Sequence, residues 1–295
     1  MHGNSWAQEQ KLVASDAAAG DEFGFSVAFS FHTMVIGARG SQPGAAYIFR
    51  HNGSVWVEEE KLSASDGTAS DEFGYDVAIF GDSVAVGARN GSSYVFIYNG
   101  SNWTEEAKLT ASAGAAENFG HAVAISGDRA LVGAFLDGGT GSAFVFKRDG
   151  GVWSEESKLL ASDGEGGDKF GHEVALSEYT AVVGATGDDH GGDADAGSAY
   201  VFGFDGSSWA EEGKLTAFDT DPADIFGRGV AVSDSVILVG SYKDDDNGVD
   251  AGAAYLFPLP PAVPAVRTPL LVALAGFFLV SGGMYLRWSA LSRRG

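Results

Sequence analysis

The chain has 295 residues, 43 of them glycine, only three methionine and none cysteine. Its 45% hydrophobic content is enough for a core, the glycines favour short strands and tight turns over helices, and the lack of cysteine excludes disulfides, thiol chemistry and thiolate metal sites. Forty acidic against 18 basic residues give a formal charge of -22, which repels phosphate backbones and excludes nucleic acid as an expected partner.

In chain order, SWAQEQKL (residues 5–12) reads as a strand running from a tryptophan to a Lys-Leu step. A polar loop follows and ends in GDEFGFSVA at 20–28. A second apolar run ends at Gly37-Ala38, an aromatic-x-Phe run covers Tyr47 to Phe49, and after Asn52-Gly53 a new tryptophan strand starts at Trp56. The unit then repeats. Tryptophan recurs at 103, 153 and 209, Lys-Leu at 61, 108, 158 and 214, and Phe-Gly at 73, 119, 170 and 226. Gly-Ala recurs at 87, 133 and 184, with Gly240-Ser241 as the fifth, and the aromatic runs are Tyr94 to Phe96, Phe144 to Phe146, Tyr200 to Phe202 and Tyr255 to Phe257. The period is 46 to 56 residues, and its four short runs are rich in the Val, Ile, Tyr and Phe that suit strands. Asn99-Gly100, Asp149-Gly150 and Asp205-Gly206 supply the later turns, where positive φ is needed.

Four antiparallel strands per unit, repeated, describe a propeller blade, so residues 1–257 are expected to form an all-β, five-bladed β-propeller. The chain begins with a fourth-type strand and its last unit lacks one. The expectation is therefore a ring closed by the N-terminal strand, with residues 5–12 beside Ala253 to Phe257.

After residue 257 the composition changes. A proline-rich linker (258–269) leads to 17 uncharged residues (270–286), the length of a short transmembrane helix, and Arg287, Arg293 and Arg294 follow in a basic tail (287–295). The positive-inside bias places this tail in the cytoplasm and the body outside. The remaining body carries 14 basic and 40 acidic residues, or -26.

FG-x-x-V-A, then Val/Ile-Gly-Ala, then an aromatic-x-Phe strand resemble the FG-GAP repeat of the integrin alpha-subunit β-propeller and its bacterial relatives. The tail resembles bacterial C-terminal sorting tails of the PEP-CTERM type, with Val263-Pro264-Ala265 nearest to the Pro-Glu-Pro triplet. The resemblance implies a propeller of recognition or adhesion function at the cell envelope or surface, anchored or released by a sorting protease. The resembling rings usually have seven blades, so five units leave open whether further blades and a signal peptide belong ahead of Met1-His2-Gly3.

Phe and Gly, starting each innermost strand, read as framework, and the acid before them reads as function. Sorted by connection, 22 of the 40 acids fall in the 2-3 and 4-1 loops, which share one rim in a meander. Ten glutamates on the fourth strands read as edge charge that prevents sheet association. KDDDNGVDAG offers Asp244, Asp246 and Asp250, and GDDHGGDADAG offers Asp188, Asp189, Asp193 and Asp195, as hard-oxygen ligands for calcium, without the register of the twelve-residue calcium loop. Integrin propellers hold calcium in 1-2 loops, which here are short hairpins, so an ion site is expected on the other rim. His121 and His172 directly follow Phe-Gly in adjacent units and read as channel lining. Three functions stay in view: a surface binding module for a protein or glycan, a passive exported scaffold, and an enzyme. No Ser-His-Asp set or carboxylate pair stands apart from the repeat, and the expectation is not an enzyme.

Overall fold

The computed structural model describes residues 7–259, apart from residues 69, 113, 115, 234 and 247. The first sheet comprises β1 (Val27–Ser30), β2 (Thr33–Ala38), β3 (Ala45–His51) and β4 (Trp56–Leu62). The second has β5 (Phe73–Phe80), β6 (Ser83–Ala88), β7 (Ser92–Tyr98) and β8 (Trp103–Leu109), and the third has β9 (Val123–Ser126), β10 (Arg129–Ala134), β11 (Ser142–Asp149) and β12 (Val152–Leu159). In the fourth are β13 (Phe170–Leu176), β14 (Thr180–Ala185), β15 (Ser198–Phe204) and β16 (Trp209–Leu215). The fifth contains only β17 (Phe226–Val232), β18 (Val236–Ser241) and β19 (Ala253–Pro258). Each is an antiparallel meander, so the five propeller-like sheets stand where the repeat places them.

Burial follows position within a sheet. The second strands of the first four sheets, such as β6, are covered on both faces, whereas the fourth strands, such as β4, alternate between exposed and half-buried residues. Phe73 shows what joins one sheet to the next: it packs edge-on against Tyr94 and Phe96 of its own sheet and in one cluster with Val35 and Ile48 of the preceding one.

The glycine after that phenylalanine does the closer fitting. A Cβ added to Gly37, Gly87, Gly133 or Gly184 would lie 2.1–2.2 Å from the carbonyl oxygen of Gly74, Gly120, Gly171 or Gly227. Each Phe-Gly backbone is thus seated on the Gly of the Gly-Ala step one sheet earlier, and no larger residue leaves room for it.

The expected ring closure is not made. β19 pairs with β18 alone, and residues 7–12 belong to no strand. Gln10 instead exchanges two 2.9 Å hydrogen bonds between its side-chain amide and the backbone of Trp56. One sheet further on, Trp103 N–H donates to Glu60 at 2.9 Å in the equivalent contact. The N-terminal segment therefore lies where the fourth strand of a preceding sheet would lie. The physical reason is that the first and fifth sheets of one chain do not meet: Val27 and Phe29 are 70% and 60% exposed, while Val77, Val123 and Val174, the counterparts of Val27 in the second to fourth sheets, are 4–6% exposed. Among the described residues no helix is long and apolar enough to cross a membrane, and the expected span at 270–286 and tail at 287–295 lie outside them.

Candidate cation site on the acidic rim

The 2-3 and 4-1 loops meet at one end of the sheets, tied by backbone hydrogen bonds from Gly40 to Asp21, Gly187 to Asp168 and Lys243 to Asp224. The acid before Phe-Gly, read from sequence as functional, has a structural task here. Asp21, Asp71, Asp168 and Asp224 each accept the backbone N–H three residues earlier, at 2.6–2.8 Å. The turn so closed holds the residue directly before Phe in the left-handed region, at φ +50 to +58° for Glu22, Glu72, Lys169 and Ile225, and Asn118 takes the same conformation where Glu117 replaces the aspartate. Burial, and then the neighbouring carboxylates Asp188 and Asp244 respectively, raise the pKa of Asp168 and Asp224.

Beside these turns stands a second recurring group. Tyr47, at the start of a third strand, donates to Asp16 at 2.7 Å, and Lys61 of the fourth strand reaches Asp16 at 2.6 Å. Tyr94, Asp66 and Lys108 repeat this at 2.7 and 2.6 Å. In the fourth sheet Tyr200 bonds both Asp163 (2.7 Å) and Asp188 (3.2 Å), and Lys214 lies 2.8 Å from Asp163 and 2.9 Å from Asp188. The third sheet has Phe144 in place of the tyrosine, and Lys158 pairs with Asp137 at 2.7 Å. Hydrogen bonds from the lysines hold Asp16 and Asp66 below the usual carboxylate range. In Asp137 and Asp163 burial is the largest influence and opposes that shift, but the lysine's hydrogen bond and charge together with the hydroxyl of Ser142 or Tyr200 outweigh it.

The fifth sheet has the same tyrosine and acids but no fourth strand to supply the lysine. Tyr255 donates to Asp219 at 2.8 Å and to Asp244 at 2.7 Å. Carboxylate oxygens of Asp219, Asp244 and Asp246 lie within 4.8 Å of one another. Desolvation, and after it the surrounding carboxylates with Asp244 foremost, raise the pKa of Asp246, opposite to the shift in the lysine-bearing sheets.

Of the seven aspartates expected to hold calcium, Asp244 and Asp246 come together, and Asp250 is outside the trio, in a left-handed turn. Asp188 is buried and is held by Ser198, Tyr200 and Lys214. Asp189 accepts the N–H of Asp195, Asp193 N–H bonds the His190 carbonyl, and the Asp195 carbonyl accepts from Ile225. These four shape the loop and form no metal-type cluster among the described residues. Asp219 escaped the sequence reading because it lies 25 residues from Asp244. A signal for it exists: an aspartate stands five residues after the lysine of Lys-Leu at 16, 66, 163 and 219, and where Ala113 replaces it the third-strand tyrosine is Phe144.

Two other expectations meet the structure. The fourth-strand glutamates do more than charge an edge: Glu58, Glu105, Glu155 and Glu211 accept from Ser15, Ser65, Ser112 and Ser162, and Glu59, Glu106 and Glu156 accept the indole N–H of Trp103, Trp153 and Trp209 in the next sheet. His121 and His172 do meet, with rings 4.7 Å apart and the His121 Nδ1 at 3.0 Å from the His172 carbonyl. Burial lowers them to about 4 and about 3, so both are neutral at pH 7. On neighbouring inner strands, burial lifts Asp76 to about 6, and burial together with Asp76 lifts Glu173 to about 8 although 32% of its side chain stays accessible.

The FG-GAP repeat profile matches residues 6–49, 56–101, 103–146, 153–202 and 209–257. No curated protein matches the chain. Five matched repeats, one for each observed sheet and each with its Phe-Gly backbone at the same place, make this chain a member of the FG-GAP repeat family.

Proposed function

We propose that the protein is a non-catalytic binding module of the cell envelope, anchored through residues 270–286 with its sheets outside the cytoplasm, and that its acidic rim recognises a protein or glycan. The anchor reading rests on the uncharged run and the flanking arginines, in a tail similar to sorting tails. The observation that carries the binding reading is the gathering of 22 acids in loops that share one end of the sheets. Lys61, Lys108, Lys158, Lys214, Arg39 and Arg89 pair with a few of them, and the rest give the rim a negative field that attracts cationic ligands. A passive scaffold needs no such gathering.

The test uses the full chain in detergent micelles against immobilised poly-lysine and a glycan array. The reading expects saltable binding that is lost in a variant with Asp189, Asp193, Asp195 and Asp245 all changed to Asn, at unchanged circular dichroism. Equal binding by the two proteins, or none by either, rejects the rim as the recognition surface.

A second reading concerns calcium, and the trio Asp219, Asp244 and Asp246 favours it: three hard carboxylate oxygens converge there without a lysine. Calorimetric titration with calcium, wild type against Asp246→Asn, decides. Heat and a higher melting temperature in the wild type alone support calcium, and their absence removes it.

A further inference from the structure

The joint between consecutive sheets is made four times in this chain, and its two halves stand unmated at the two ends of the row. In each made joint the Gly of the Gly-Ala step receives the next Phe-Gly carbonyl, and in three of them a second glycine, Gly44, Gly141 or Gly197, bridges the backbone of Phe73, Phe170 or Phe226. The fifth such seat is open. A Cβ added to Gly240 would meet no described atom nearer than 3.8 Å, and together with Gly252 and Tyr242 this glycine lines an open groove of about 650 Å³. Leu238 and Leu256 on the same sheet are 41% and 69% exposed, whereas their third-sheet counterparts Leu131 and Val145 are fully buried. At the other end a Cβ added to Gly24 would meet no described atom within 4 Å, and Val27 and Phe29 face solvent.

Charge completes the match. Tyr255, Asp219 and Asp244 repeat Tyr200, Asp163 and Asp188 without the lysine. Lys11 belongs to a Trp-to-Lys-Leu segment, is exposed, and makes no ion pair among the described residues.

We propose that these halves mate between two copies of the chain: Phe23-Gly24 and β1 of one copy seat on the Gly240/Gly252 groove of the next, and residues 7–12 of the first copy add to β19 of the second as its missing fourth strand. Lys11 then enters between Asp219 and Asp244. Each copy carries both halves of the joint, and its own first and fifth sheets do not meet, which favours a second copy as the mate. The register follows from the complete sheets. Tyr47 opposite Lys61 and Ile48 opposite Glu60 become Tyr255 opposite Lys11 and Leu256 opposite Gln10. Such a head-to-tail contact is heterologous, and a strand added to a free edge provides its backbone hydrogen bonds. This association goes beyond the rim reading and does not depend on it, and Lys11 takes the place that calcium would hold between Asp219 and Asp244.

Because the chain has no cysteine, a cross-link reads the contact directly. Full-length Gln10→Cys and Leu256→Cys chains are purified separately in detergent, mixed and mildly oxidised. Residues opposite one another on paired strands have Cβ atoms about 4.5–5.5 Å apart, within reach of a disulfide after small adjustment. The expected product is a dimer joined 10 to 256, in excess over 10-to-10 and 256-to-256 dimers, with a yield about tenfold lower when Lys11→Glu or Asp219→Asn/Asp244→Asn is added, as loss of a charge-assisted bond implies. Three outcomes overturn the proposal: no 10-to-256 dimer, an internal disulfide in monomeric Gln10→Cys/Leu256→Cys, or a yield indifferent to the charge changes.

Discussion

The fourth and fifth sheets share a Phe-Gly step, a third-strand tyrosine and a pair of aspartates in the same places, and differ in what lies beside them. Tyr200 and Tyr255 each bridge two aspartates, one from the 4-1 loop and one from the 2-3 loop. In the fourth sheet β16 brings Lys214 to both carboxylates, and the Phe-Gly backbone of the fifth sheet closes over Gly184. Neither partner reaches the fifth sheet. A sheet of this chain is thus completed on one side by its own lysine-bearing fourth strand and on the other by the next sheet's carbonyl seated on glycine.

Substituting the seating glycines sharpens this contrast most. Gly184→Ala places a Cβ 2.1 Å from the Gly227 oxygen, which is backbone and cannot swing away. Its expected cost is about 3 kcal/mol in urea unfolding, at the upper end of overpacking effects. Within one chain Gly240→Ala meets nothing nearer than 3.8 Å, and in dilute solution, where copies stay apart, it is expected to unfold at the wild-type urea midpoint. Equal losses at the two positions would break the comparison.

Removing the lysine is the next largest effect. Lys214→Met leaves the buried Asp188 carboxylate with two hydroxyls and the His190 ring at 3.7 Å, and a loss of about 2 kcal/mol is expected from denaturant midpoints. In the fifth sheet, where no lysine is present, Asp246→Asn relieves repulsion and is expected to raise the melting temperature slightly. By carboxyl NMR, Asp163 should titrate below the normal range and Asp246 above it.

The smallest effect comes from the inner strands, where pH acts on two kinds of group with opposite signs. Glu173, raised to about 8, holds a proton in the folded protein that the unfolded chain loses near pH 4.5, so stability from this group falls as pH rises through that window. Asp76 acts alike between its ordinary value and about 6. His121 and His172, lowered to about 4 and 3, act in reverse, and their contribution grows as pH rises towards 6.5. Arg228 also faces this group and partly offsets the rise of Glu173. Between pH 6.5 and 8 Glu173 is the term that remains, giving a decline of about 1 kcal/mol once screening through its accessible third is allowed for. Glu173→Gln should flatten that decline in urea midpoints measured at the two pH values.

Much of this molecule is written locally. Apolar alternation, Asn-Gly and Asp-Gly turns and the five Phe-Gly steps fix strands, hairpins and repeat count, because each depends on residues a few positions apart. The convergence of the 2-3 and 4-1 loops also follows from sequence, since a meander leaves no other arrangement. The seven aspartates picked from two loops were a poorer guide: composition marks where carboxylates are dense, and only packing shows that Asp188 already has a lysine while Asp219 joins Asp244 and Asp246.

By itself, then, the sequence determined five antiparallel units, their order, and a rim of acids at one end. Tertiary structure decided how the units join and where joining stops: that Gly184 seats Gly227 while Gly240 seats nothing, and that residues 7–12 lie by Trp56 instead of β19. The reason is that strand identity is set by neighbours along the chain, whereas a joint between sheets depends on whether two surfaces far apart in sequence arrive at the same place.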